Sequence, residues 1–190
     1  MKVGLFFGSF NPVHTGHLII ASYMSNFTEL DEVWMVVSPH NPLKDKRKLT
    51  NMYDRLEMTR LATENAEHIK VSNIEFGLPQ PSYTVDTLAY LKEKYPGREF
   101  ALIMGADNLA SLKKWKNYEV LLANHTIYVY PRPGSDISEW KNHPAIRVTD
   151  TPNMEISSTF IRNAIKAGRN VQFFLPDSVL EFIDGKNMYR

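Results

Sequence analysis

The chain has 190 residues, 43% of them hydrophobic, enough to bury one sizeable core, and is read as a single domain over 1–190. A formal net charge of +1 gives no global field to hold nucleic acid or an anionic membrane, and no stretch approaches the roughly 20 apolar residues of a membrane span. Cysteine is absent, which excludes disulfides and thiolate metal sites and fits a cytoplasmic setting; the short apolar run before Gly8 is too brief for a signal peptide.

Val3 to Phe7 predicts a buried strand, and Leu18 to Met24 a helix, so Gly8-Ser9-Phe10-Asn11-Pro12-Val13-His14-Thr15-Gly16-His17 joins a strand to a helix start. The first turn of a helix has backbone N–H groups without partners and the positive end of the peptide dipoles, so an anion fits there. Gly8 and Gly16 allow tight turns and close approach, and Pro12 stiffens the loop between them. His14 and His17 can both donate to one phosphate group. A metal site is the rival reading of the pair, but its spacing is short and no cysteine can complete it.

Val33–Val37 is uniformly apolar and predicts a second buried strand, followed by an exposed loop over 38–48 with four basic residues, Lys44, Lys46, Arg47 and Lys48. Thr50 or Asn51 can cap a helix through Met52, Leu56 and Leu61, with Arg55 and Arg60 on its more polar sides. The alternation over Ile69–Phe76 predicts a strand, and Gly77 to Pro81 a loop. Ser82 can cap the next helix, which carries Val85, Leu88 and Leu91 on one face and stops at Tyr95-Pro96-Gly97.

Phe100–Met104 is a further apolar strand, and Gly105-Ala106-Asp107-Asn108 continues from its carboxyl end, where open α/β sheets bind ligands; Asp107 can equally cap the helix that follows. A short helix over Asn117–Ala123, a strand over Thr126–Tyr130 and the loop Pro131-Arg132-Pro133-Gly134 come next. Residues 135–145 carry no readable pattern, and Arg147-Val148-Thr149 predicts a last strand. Ile156 begins a helix that Ser157 or Ser158 can cap, with Phe160, Ile161 and Ile165 as apolar contacts, Arg162 about one turn in and Gly168 as its end. Pro176 starts a final helix through Val179, Leu180, Phe182 and Ile183. Strands alternating with helices predict an α/β fold: a doubly wound, mostly parallel sheet with helices on both faces and right-handed crossovers.

The segment from Gly8 to His17 resembles the Gly-Ser/Thr-Phe-Asp-Pro-x-His-x-Gly-His signature of the nucleotidyltransferase superfamily, with Asn11 at the Asp position. Ile156-Ser157-Ser158-Thr159-Phe160-Ile161-Arg162, about 140 residues further on, resembles its second signature, Ile-Ser-Ser-Thr-x-x-Arg. Length and intervening segments are similar to the bacterial nicotinate-nucleotide adenylyltransferase family over nearly the whole chain. The resemblance implies a Rossmann-like nucleotidyltransferase fold and adenylyl transfer from ATP to nicotinate mononucleotide, with Mg2+ bound mainly through the ATP phosphates and no protein metal site. It implies catalytic roles for His14, His17 and Arg162. ATP contacts would come from Gly8, Ser9, Phe10, His17, Gly105, Asp107, Ser157, Ser158 and Arg162.

For the mononucleotide, the resemblance implies contacts from Tyr83 and Thr84, because Ser82-Tyr83-Thr84-Val85-Asp86-Thr87-Leu88 is similar to the family's Ser-Tyr-Thr-x-Asp-Thr-Leu segment. Lys44 is either a substrate contact or solvated surface. Trp115 either stacks on the pyridine ring or packs in the core, and Lys116 stands where an aromatic residue usually follows it. Another acceptor, nicotinamide mononucleotide or phosphopantetheine, CTP-dependent chemistry, and a non-catalytic nucleotide-sensing module are the alternatives. A homo-oligomer is compatible with the sequence. A dehydrogenase or P-loop kinase is disfavoured by the missing Gly-x-Gly-x-x-Gly and Gly-Lys-Ser/Thr patterns.

Overall fold

The computed structural model describes residues 1–39 and 49–190. Among the described residues six strands, β1 (Lys2–Gly8), β2 (Glu32–Val37), β3 (Ile69–Ser72), β4 (Glu99–Gly105), β5 (Ile127–Tyr130) and β6 (Ile146–Val148), form one sheet in the order β3-β2-β1-β4-β5-β6. Every neighbouring pair is parallel. The helices are α1 (Thr15–Phe27), α2 (Met52–Thr63), α3 (Thr84–Lys94), α4 (Ala106–Ala110), α5 (Tyr118–Asn124), α6 (Ser158–Lys166) and α7 (Asp177–Gly185).

The central strands β1, β2 and β4 are largely apolar because both faces are covered. Alternate residues feed two separate cores: Phe6, Val33, Met35, Val37, Ala101 and Ile103 pack with α1, α2, α6 and α7. Val3, Leu5, Trp34, Val36, Phe100, Leu102 and Met104 pack on the other side with α3, α4 and α5. This side-chain period of two, buried on both faces, is what makes the central strands read as unbroken hydrophobic runs. The chain leaves β1 through α1 toward β2 and later returns through α3 to β4 on the other side of β1. The carboxyl ends of β1 and β4 therefore flank the point where strand order reverses, the ligand position of doubly wound sheets.

Several local expectations are corrected. The alternation over 69–76 is a strand only to Ser72; Ile74–Gly77 forms a 3-10 turn instead. Ile74 and Phe76 go to different cores, and Glu75 is buried and accepts a hydrogen bond from Thr87 Oγ1 at 2.9 Å, a tertiary tie that overrides the strand pattern. Ser82 does not cap α3, because its hydroxyl is turned to Gln80 Oε1 at 3.2 Å and Tyr83 takes the cap position. Asn51 does cap α2, accepting from the Tyr53 N–H at 2.8 Å. Arg55, expected on a polar face of that helix, is 1% exposed.

Gly8 closes β1 beside the buried Phe10 ring, and a Cβ at Gly8 would lie 2.6 Å from two of its ring carbons. Gly8→Ala is therefore expected to destabilise the fold by about 1–3 kcal/mol, the usual cost of overpacking. Urea unfolding of the two proteins checks this; an unchanged midpoint would show that Phe10 can move aside.

Candidate active site

The loop after β1 is shaped by side chains that come from far along the chain. Phe10 adopts a left-handed backbone, φ 43°, which only its surroundings can hold in place for a bulky residue. Its ring is buried edge-on to Phe6 and His17, with centroids 5.8 and 5.0 Å away, so only the backbone of Phe10 can meet a ligand. The Asn11-Pro12 peptide is cis. Arg55 Nη1 donates to the Ser9 carbonyl at 2.5 Å, Arg162 Nη1 to the Asn11 carbonyl at 2.8 Å, and Ser158 Oγ to the Pro12 carbonyl at 2.9 Å. Asn11 Oδ1 accepts from Tyr189 OH at 2.9 Å and from the Thr50 N–H at 3.3 Å. With its carbonyls held by these donors, the loop presents less negative dipole to an approaching anion.

The start of α1 departs from the simple picture of an open helix end. The Thr15 N–H donates to the Phe174 carbonyl at 2.9 Å, so this first amide is already used. His14 occupies the cap, and its own N–H donates to His17 Nδ1 at 3.2 Å. A ring nitrogen that accepts carries no proton, so neutral His17 is assigned its proton on Nε2 and donates from that edge. The two imidazoles stack, with centroids 3.7 Å apart and planes 26° from parallel.

His14 is 3% exposed, and burial, reinforced by the charge of Arg132, pushes its imidazole down to about 4. It is neutral at pH 7 and can donate through only one nitrogen at a time. Its Nδ1 has no hydrogen-bond partner among the described residues, and a Cβ at Gly16 would come within 3.1 Å of it. Gly16 thus serves by leaving room for this ring; the left-handed backbone that glycine tolerates occurs instead at Phe10.

The end of β4 supplies the other side. A Cβ at Gly105 would collide with Asp107 Oδ1 and lie 3.2 Å from Arg132 Cγ. Asp107 sits in the first turn of α4 with no side-chain cap; its carboxylate is 4.0 Å from Arg132 Nε. Arg132 donates from Nη1 to the Met154 carbonyl at 3.0 Å, lies over the Tyr130 ring at 5.2 Å, and has no hydrogen-bond partner for Nε among the described residues. The sequence pattern by itself gave this guanidinium no role. The available signal was a lone cation between two prolines just past the carboxyl end of β5.

Ser157 caps α6, accepting from the Phe160 N–H at 3.1 Å, while Ser158 binds the first loop. The two serines, interchangeable as caps in the sequence, thus divide into a cap and a loop tie.

Tyr83 stands at the cap of α3 and Thr84 is its first residue. Lys116 Nζ reaches Asp86 Oδ2 at 2.8 Å and lies 4.7 Å from the Tyr83 ring centroid, so the segment after the 3-10 turn Leu112–Lys114 lies against the start of α3. Trp115 is partly buried on the second core and lines a small cavity with Phe6, Phe7, Met104, Asn108 and Tyr130, behind the ends of β1 and β4. Its Nε1 has no partner among the described residues. Lys44 lies outside the described residues.

A doubly wound parallel sheet whose first loop carries a histidine pair and is docked by a serine and an arginine from a distant helix defines a phosphate-handling, nucleotide-binding class. Residues 5–164 match the cytidylyltransferase-like family. The chain is 60% identical to a probable nicotinate-nucleotide adenylyltransferase of Flavobacterium johnsoniae, with all of both chains covered. It is 56% identical to one of Flavobacterium psychrophilum, again over all of both. Its backbone matches nicotinic acid mononucleotide adenylyltransferase of Plasmodium falciparum, solved in complex with NaAD, with a TM-score of 0.83, 21% identity and coverage of 99% and 97% of the two chains, which shows a shared fold. The chain belongs to the nicotinate-nucleotide adenylyltransferase family, within the cytidylyltransferase-like group.

The depressed His14 value carries a stability consequence. The unfolded chain, with an ordinary histidine near 6.5, takes up its proton first as pH falls, so this contribution is present above 6.5 and lost on descending to about 4. The difference is worth about 3 kcal/mol in total. Urea unfolding at pH 7 and pH 4 is expected to show wild type losing about 3 kcal/mol more than His14→Gln. Equal losses would remove the premise that the ring is buried neutral.

Proposed function

We propose that this protein transfers the adenylyl group of ATP to nicotinate mononucleotide, giving nicotinate adenine dinucleotide and pyrophosphate in NAD biosynthesis. The observation that carries the site assignment is the bonding of Arg162 and Ser158 to the loop that holds His14 and His17. It gathers the imidazoles and a guanidinium around one place at the switch point.

In this reaction a phosphate oxygen of the mononucleotide attacks the α-phosphorus of ATP in line, a P–O bond forms there, and the bond to the β-phosphate oxygen breaks. Phosphate oxygens are nucleophilic at neutral pH without a general base, so the protein's work is to align two anions and neutralise charge growing on the α-phosphoryl and leaving oxygens. His17 donates from Nε2 to an α-phosphoryl oxygen. His14, neutral and stacked beneath it, holds the ring through its backbone N–H and offers one further donor. Arg162 uses one N–H on Asn11 and one on Thr159 Oγ1 at 3.2 Å, and the rest of its fork takes the departing pyrophosphate. Gly8, Ser9 and Phe10 present backbone to the triphosphate, with Ser157 at the head of α6. Gly105, Asp107 and Arg132 line the opposite side, toward the sugar.

Tyr83, Thr84 and Trp115 are assigned to the mononucleotide, with Lys44 as a further contact. No group of three or more histidine, aspartate or glutamate side chains able to hold a metal occurs among the described residues. Mg2+ belongs to the same proposal, carried by the ATP phosphates and water, where it would offset phosphate charge. A cytoplasmic setting and a single domain over 1–190 belong to the same proposal. No helix of the described residues is long and apolar enough to cross a membrane.

The deciding assay offers ATP with nicotinate mononucleotide, nicotinamide mononucleotide or phosphopantetheine and follows pyrophosphate release and the adenylylated product. Turnover only with the acid mononucleotide is expected; preference for another acceptor would overturn the substrate assignment. In the same assay His17→Ala is expected to lower kcat by about two to three orders of magnitude, the scale of one oriented transition-state donor. Near-normal turnover by that variant would reject the role given to His17.

A further inference from the structure

Arg55 belongs to the largest fully buried side chains among the described residues, and nothing in the reaction above employs it. It lies on α2, away from both sequence signatures. Its guanidinium is invested wholly in backbone: Nη1 donates to the carbonyls of Ser9 at 2.5 Å and Ser38 at 2.8 Å, Nη2 to Pro39 at 3.1 Å, and Nε to Thr50 at 3.1 Å. No carboxylate pairs with it among the described residues. Burial pushes it down to about 10, so it still carries its charge at neutral pH. A buried cation lacking a counter-ion is costly, and a helix that needed only packing would be better served by leucine or methionine.

The Ser9 bond has a direct geometric result. A trans peptide is planar, with its C=O and N–H pointing in opposite directions. A guanidinium gripping the Ser9 carbonyl from the α2 side therefore aims the Phe10 N–H at the other side of the loop. Phe10 holds its left-handed backbone at the same spot, with its ring locked between Phe6 and His17. Peptide orientation is thus set from both ends, by Arg55 on one and by the buried ring on the other.

We propose that Arg55 is a positioning residue for adenylyl transfer: it holds the Ser9 carbonyl so that the Phe10 N–H is presented to the ATP phosphates, and it sets a fixed positive charge behind that loop. The inference rests on the reading that this loop receives ATP. Lysine could keep the charge but not the fork that spans four carbonyls, so the two contributions separate experimentally.

The test compares wild type, Arg55→Lys and Arg55→Met by kcat, by KM for ATP and for nicotinate mononucleotide, and by the 15N-resolved amide resonance of Phe10 on addition of a non-hydrolysable ATP analogue. In wild type the Phe10 amide proton is expected to move downfield as the analogue binds. In Arg55→Lys that movement should fall by at least about half, and kcat should drop about tenfold or more, a fraction of the loss of a direct donor. KM for the mononucleotide should change less than KM for ATP, since the Ser9 carbonyl belongs to the triphosphate side. Arg55→Met, if it folds, should show a larger rise in KM for ATP than the lysine variant.

A purely structural role predicts something else: lower melting temperature and less active protein, with kcat per active site, KM for ATP and the Phe10 shift unchanged. That result in Arg55→Lys would overturn the proposal even if Arg55→Met cannot be purified. A Phe10 resonance in wild type that ignores the ATP analogue would overturn it as well. Because the resonance experiment needs no acceptor, it can succeed or fail independently of whether nicotinate mononucleotide is the substrate.

Discussion

The bonds from α6 to the loop after β1 are the contact on which the site depends. Arg162 and Ser158 reach across 151 and 146 residues to take the carbonyls of Asn11 and Pro12. Hydrogen bonds from charged donors contribute about 1.5–3 kcal/mol, so the arginine bond is a substantial anchor for an irregular segment with no ladder of its own. It also does electrostatic work. A loop meant for phosphates is impaired by any carbonyl oxygen turned toward them, and three of its carbonyls, those of Ser9, Asn11 and Pro12, are each engaged by a side chain from another element.

In the proposed site, positive charge comes from guanidiniums, and the imidazoles serve as donors. His14 is desolvated, it stacks on His17, and Arg132 stands near enough to oppose its protonation. Two stacked rings at 3.7 Å would repel strongly if both were charged. A guanidinium is a fixed charge at any working pH, so the field proposed to receive a triphosphate does not depend on histidine titration. The division suits phosphoryl chemistry, in which fixed dipoles and charges stabilise the transition state without reorganising.

A second polar line joins the loop to the far side of the sheet. Arg55 binds the Ser38 carbonyl, the Ser38 side chain bonds Glu75, and Glu75 accepts from Thr87 on α3. Burial raises the Glu75 carboxyl above the usual range, while the Ser38 and Thr87 bonds oppose that shift. The line ties the helix assigned to the mononucleotide to the loop assigned to ATP through buried, oriented groups. In-line transfer between two bound anions needs such fixed relative placement of its two half-sites.

The sequence by itself determined the architecture and marked the loop and the helix that meet at the proposed site. The apolar runs of β1, β2 and β4 specify strands covered on both faces, and the two signatures mark the loop and the helix that meet. These features are local: they rest on side-chain period, turn residues and caps within one element. Only the tertiary structure decided that Arg55 is buried under the loop, that Arg132 stands beside His14, that His14 is neutral, and that Glu75 ends a strand early. Each of these depends on partners outside its own element. Burial and charge proximity are properties of the packed chain, and a helix position such as that of Arg55 looks polar until the carbonyls that surround it are folded into place.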